Sequence, residues 1–183
     1  MHCYGATQLA ASFRTVRKNT TQVAQDIPED KYGHIPADGA RTVGQMFTHV
    51  ALAPTMLWMK MHGTRSMDVM GFDFLGLGRT MQAEESVPRT KAQIVELLTE
   101  HGERFASYLE TLSDDVLADQ VLANSAAGPV HKCRLEMLLG AKEHEMHHRA
   151  QLMLIERQLG IVPHLTRHLN AVIEQMAKAR AGA

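Results

Sequence analysis

One stripe of apolar residues constrains this chain more than any other feature. Met137, Ala141, Leu152, Ile155 and Leu159 recur at helical intervals, the pattern of a core-facing helix. Two histidines, His144 and His148, interrupt the stripe on the same face. Residues i and i+4 of a helix lie one turn apart, so two imidazoles at this spacing can reach one divalent ion. His147 falls about 60° to the other side on the helical wheel and is the weaker partner. Buried polar groups need partners. A shared metal ion would satisfy both imidazoles at once, whereas two neutral histidines bonded to their neighbours are the plainer alternative. Two of them on one core face favour the metal.

The rest of the chain repeats the helical period. Residues 4–25 predict a first helix carrying Leu9, Phe13, Val16 and Val23, with Pro28 after its end. Residues 27–39 read as a loop. Thr42 and Gln45 form a capping box for a second helix that runs to about Met61, and Pro54 bends it just after His49. Periodicity fails over residues 62–88. A long connection is expected there, with at most a short helix and with Phe72 and Phe74 packed over a bundle end. In a bundle such a span carries the chain from one end to the other. Thr90 and Gln93 open a third helix, whose core face holds Ile94, Leu98, Phe105 and Leu109. Residues 116–130 read as a loop, with a small hairpin as an option. A fourth helix is expected from about His131 to Leu159, closed by Gly160, and a fifth from Pro163 to about Ala179. No strand is convincing. The expectation is an all-α bundle of four long helices plus a fifth, one domain over residues 1–183.

Composition narrows the function classes. A formal net charge of −1 over 183 residues gives no electrostatic case for nucleic acid. No apolar run approaches the roughly 20 residues that cross a bilayer. The N-terminus has no basic segment followed by an apolar one, so no signal peptide is expected. Cys3 and Cys133, the two cysteines, are not in a metal or redox spacing, which predicts a cytoplasmic protein with free thiols.

Two histidines do not complete a metal site. Catalytic zinc-type centres use three protein ligands and leave a position open. His49, near the apolar face of the second helix, is the best third ligand, and His101, between Leu97 and Phe105, is the alternative. His2, His34, His62, His131, His164 and His168 fall at helix ends or in loops and are read as solvated. Cys133 lies about 16 Å along the helix from His144, too far to share its ion. Gln151, about 20° from His144 on the wheel, could orient a ligand or pack, and packing is preferred. Three imidazoles leave Zn, Ni, Cu and Fe open. His144-Glu145-x-x-His148 also satisfies H-E-x-x-H, the zinc-protease signature, with Glu145 as base and Glu174 as a nominal third ligand. Gln151 stands where the longer signature needs glycine, and no edge strand is offered to an extended substrate.

Thr42-Val-Gly-Gln-Met-Phe-Thr-His49, followed by His144-x-x-x-His148-Arg149-x-Gln151, resembles the DinB/YfiT-like superfamily of metal-dependent four-helix-bundle proteins. The likeness extends over nearly the whole chain in helix order and loop length, and the second motif is the more specific. Ala150 stands where the family often has glycine. The resemblance implies that His49, His144 and His148 ligate a divalent ion such as Zn, Ni or Fe. It also implies a bundle with a long crossover, and a homodimer. Characterised relatives include thiol-dependent transferases and isomerases. The expected function is therefore a metal-dependent transferase or hydrolase acting on a small molecule, with a low-molecular-weight thiol as co-substrate. The alternative is a non-catalytic, stress-associated metal-binding dimer.

Overall fold

A computed structural model describes residues 4–181, so His2 and Cys3 lie outside the described residues. The apolar stripe of α1 (Ala6–Asp26) buries Leu9, Phe13, Val16 and Val23. Helix α2 (Val43–Ala53) starts at the expected box. Thr42 Oγ1 accepts the Gln45 N–H at 3.1 Å, and Gln45 Oε1 accepts the Thr42 N–H at 2.9 Å. Pro54 does not end the helical path. Proline has no N–H to give, and the chain takes a wide π turn over Pro54–Met59 before α3 (Lys60–His62). The wide turn changes the helical repeat and re-aims the side chains it carries, Trp58 among them.

Helix α4 (Phe74–Glu85) occupies the second half of the long connection. Helix α5 (Lys91–Glu110) follows the Thr90–Gln93 box, and a short α6 (Asp114–Ala118) follows that. The last two helices are α7 (Arg134–Gln158) and α8 (His164–Ala181). Helices α1, α2, α5 and α7 enclose the core. Val23, Phe47, Ile94, Leu98, Leu152 and Ile155 interlock in one part of it, and Leu9, Phe13, Phe105, Leu109, Leu138 and Ala141 in another. Each of the larger side chains among them contributes roughly 1.5–3 kcal/mol by leaving water. The architecture is a four-helix bundle with a long crossover and an added C-terminal helix.

Two expectations about the second half are corrected. Residues 120–133 form a hairpin of β1 (Gln120–Ser125) and β2 (Gly128–Cys133), with Ser125 opposite Gly128 and Gln120 opposite Cys133. Gly128, at φ 110°, supplies the positive dihedral next to the tight turn. The fourth helix accordingly begins at Arg134, because His131, Lys132 and Cys133 pair with β1. Long-range contacts decide this. Val121 and Ala123 are buried with Met61 and Val69, and Leu122 exchanges backbone hydrogen bonds with the 67–69 segment.

His62, read above as solvated, is fully buried. It accepts a bond from Arg134, whose guanidinium also reaches the carbonyls of Arg65, Ser66 and Val116 and the carboxylate of Asp119. Helix α7 ends as the glycine predicts. Gly160, at φ 78°, lets its own N–H reach Arg157 O at 3.0 Å and the Ile161 N–H reach Glu156 O at 2.8 Å. Helix α8 buries no side chain and leaves Leu169, Ile173 and Met176 exposed. Among the described residues, no helix is long and apolar enough to cross a membrane.

Candidate metal centre

His49 of α2 and His144 and His148 of α7 each bring one ring nitrogen to within 4.8 Å of the others. His49 Nε2 and His144 Nε2 face each other at 2.9 Å. The three half-buried rings form part of the wall of a cavity of about 730 Å³, which Arg41, Met81, Glu85 and Gln151 also line. The pair on α7 is not in the middle of the core stripe. The buried line of that helix passes through Leu138, Ala141, Glu145 and Leu152, which puts His144 and His148 at its edge, beside the cavity.

Neighbouring side chains set which nitrogens are free. Glu85 Oε1 accepts from His49 Nδ1 at 2.8 Å, and Glu85 Oε2 accepts from Arg41 Nε at 2.6 Å. Gln151 Oε1 accepts from His148 Nδ1 at 2.9 Å, while its amide nitrogen donates to His147 Nε2 at 3.2 Å. Both arrangements leave Nε2 of His49 and His148 as the lone-pair nitrogen, in the manner of carboxylate- and amide-held metal histidines. His144 Nδ1 is buried with no partner. Gln151 is exposed and orients His148, so its role is not the packing preferred above. Glu85 was not foreseen. The sequence carries no periodic signal there, and the burial of Met81 and Glu85 one turn apart on α4 appears only in the fold.

Burial pushes the His144 imidazolium down to about 3 and that of His148 down to about 4, and lowers His49 as well. The neighbouring imidazoles and Arg41 add to the effect at His144 and His148, and Arg41 adds to it at His49. All three rings are therefore neutral at pH 7, the form that donates to a metal. Metal–nitrogen bonds of about 2.0–2.1 Å hold ligand nitrogens about 3 Å apart, close to the gap between His49 and His144. The donor set fits a divalent transition metal.

Other nominated residues go elsewhere. His101 bonds Thr55 Oγ1 at 2.7 Å and stands outside the cluster. His147 is exposed. Glu145, the base of the protease reading, is 0% exposed and turned into the core, where it accepts from Arg17 Nε and Nη2 at 2.9 Å. Glu174 is exposed on α8 and takes no part in the cluster. A zinc-protease mechanism thus lacks its base and the downstream ligand nominated for it. Arg17 was not singled out in the sequence. Its signal is Gly102, in the middle of α5, where a Cβ would sit 2.6 Å from Arg17 Cγ. Phe74 does not cap the bundle. It is half-exposed and lines the metal cavity. Ala150 is exposed, so no close helix approach asks for glycine there.

The sequence model of the DinB superfamily matches residues 12–152. YjoA of Bacillus subtilis, an uncharacterized protein, is 23% identical over 155 residues, covering 85% of this chain and 91% of YjoA. The crystal structure of YjoA, a DinB-like protein, superposes with a TM-score of 0.60 at 19% identity, over 84% of this chain and 92% of that one. YfiT of Bacillus subtilis, described as a probable metal-dependent hydrolase with an unusual four-helix bundle topology, gives 0.64 at 15% identity, over 88% of this chain and 91% of YfiT. A mycothiol-dependent maleylpyruvate isomerase gives 0.62 at 14% identity, and this chain spans 61% of its length while 81% of this chain is matched. At such identities the superpositions show a shared fold. The family match extends over the bundle and over all three clustered histidines, and this chain belongs to the DinB superfamily.

Proposed function

We propose that this protein is a metal-dependent enzyme in which His49, His144 and His148 hold one divalent ion and a low-molecular-weight thiol is transferred to an electrophilic small molecule. The observation that carries this reading is three neutral imidazole nitrogens within 4.8 Å of one another at the wall of a 730 Å³ cavity. A bound divalent ion supplies a thiolate or hydroxide at neutral pH by lowering the pKa of the thiol or water it coordinates. The chain's own residues prepare the site for that chemistry. Glu85 and Gln151 orient two of the rings, and burial keeps them unprotonated. Glu85 is the one acidic residue among those lining the cavity, and both its oxygens are already engaged. No separate general base is on offer among the described residues that line the cavity, which suits a thiol activated by the ion itself. The names of YfiT and of the mycothiol-dependent isomerase support a metal and a thiol respectively. A cytoplasmic setting, where small thiols stay reduced, is part of the reading. A hydrolase built on the same centre is the second reading, and the cavity beside the rings speaks against a purely structural ion.

Metal analysis of untagged protein tests the centre. One ion per chain is expected in the wild type, and none in His148→Ala. Equal metal content in the wild type and in single alanine variants of His49, His144 and His148 would refute the ligand set. Adding thiol to the cobalt-substituted protein should raise a sulfur-to-metal charge-transfer band. We also propose a homodimer closed over the apolar face of α8, with Leu169, Ile173 and Met176, and Leu154 of α7. Light scattering that shows a monomer at about 50 μM would remove it.

A further inference from the structure

Arg41 immediately precedes the box that starts α2 and lies in the wall of the metal cavity. Its Nε is held at 2.6 Å by Glu85 Oε2, on the buried carboxylate that also holds His49. One acid thus anchors an imidazole and a guanidinium together. Neither terminal nitrogen of Arg41 has a partner among the described residues, and the side chain is 40% exposed. A guanidinium fixed at Nε still offers its terminal N–H groups as a planar donor edge, which suits a carboxylate. The two oxygens of Glu85 bridge Arg41 Nε and His49 Nδ1, which places the guanidinium head near the cluster.

The charge balance of the cavity points the same way. The three ring donors are neutral, and the charge on Glu85 is matched by that on Arg41. With a divalent ion present, two positive charges would stay uncompensated. A ligand bringing a thiolate and a carboxylate supplies two negative ones. Met46, Leu57, Leu77 and Met81 give its carbon chain an apolar wall.

We propose that Arg41 is a specificity-determining residue that binds a carboxylate on the small molecule entering the metal cavity, so that the protein prefers organic acids, thiol-bearing ones included, over their neutral counterparts. The position of the ligand's reacting end rests on the metal reading above. The recognition of its acid end does not.

Calorimetric titration of the untagged, metal-loaded protein tests it, using 3-mercaptopropionate against 3-mercaptopropionamide and 6-mercaptohexanoate against its amide. In at least one pair the acid should bind about tenfold tighter or better than the amide. Arg41→Gln should bring that ratio to within about twofold, while Arg41→Lys, a charge without the fork, keeps an intermediate preference. Equal affinity of acid and amide in the wild type overturns the proposal, as does an unaltered ratio in Arg41→Gln or no binding of either acid. Should Arg41→Gln fail to fold, the wild-type pairs and Arg41→Lys still decide. A preserved acid preference with no charge-transfer band in the cobalt protein would sink the thiol reading and leave this one standing.

Discussion

His144 and Glu145 are neighbours on α7 and end in opposite surroundings. Glu145 faces the core, where Arg17 answers its carboxylate, and the same guanidinium bonds the carbonyls of Val50 and Leu98. That cluster is closed, and it ties α1, α2, α5 and α7 together. His144 faces the cavity edge, with one nitrogen turned to His49 and the other without a partner. That cluster is open. A buried polar group can be satisfied within the chain, which makes it structural, or left poised for a ligand from outside. Glu156, two turns further towards the end of the helix than His148, is a third case. It is 0% exposed with neither oxygen partnered, and burial, with the nearby Asp26, pushes its carboxyl up to about 7.

The largest effect should come from breaking the closed cluster. Glu145→Ala leaves the Arg17 charge buried alone and should cost about 3–5 kcal/mol in urea denaturation. Replacing both partners, Arg17→Met with Glu145→Leu, should cost less than the single loss. A single variant as stable as the wild type would mean that the pair does not set the rotation of α7. In the open cluster, Glu85→Gln should weaken metal binding about 10–100-fold in chelator competition, because His49 loses its charged anchor. Unchanged affinity would separate Glu85 from the centre.

The smallest effect concerns Glu156. Its folded carboxyl titrates near 7, above its ordinary value of 4.5, so the folded chain holds the proton more tightly than the unfolded chain. The stabilising contribution is complete below about pH 4.5 and is lost as the pH rises through about 7. Relative to Glu156→Gln, the wild type should lose on the order of 1 kcal/mol of stability between pH 5 and 8, because α8 buries no side chain and can part to admit water. The depressed histidines act in the opposite direction, losing stability as the pH falls below about 6.5, and the comparison of variant with wild type cancels them. Parallel stability curves for the two proteins would show that Glu156 is solvated.

By itself the sequence determined the local features. The boxes at Thr42 and Thr90, the end of α7 at Gly160 and the stripes of α1, α2, α5 and α7 each depend on residues within a few positions of one another. The spacing of His144 and His148 belongs to the same class, whereas His49, on another helix, is nominated beside His101 and through the family resemblance, and the fold is what brings it to the pair. Only the tertiary structure decided that the β1–β2 hairpin pairs under the long connection, that His62 is buried by Arg134, and that Glu85 arrives from α4 to hold both His49 and Arg41. It also decided the rotation of α7. A helical wheel states the angle between His144 and Glu145, about 100°, but not which of the two faces the core. That choice belongs to Arg17 on another helix, because a buried cation is stable only beside a carboxylate, and drawing Glu145 inward leaves His144 and His148 at the cavity edge.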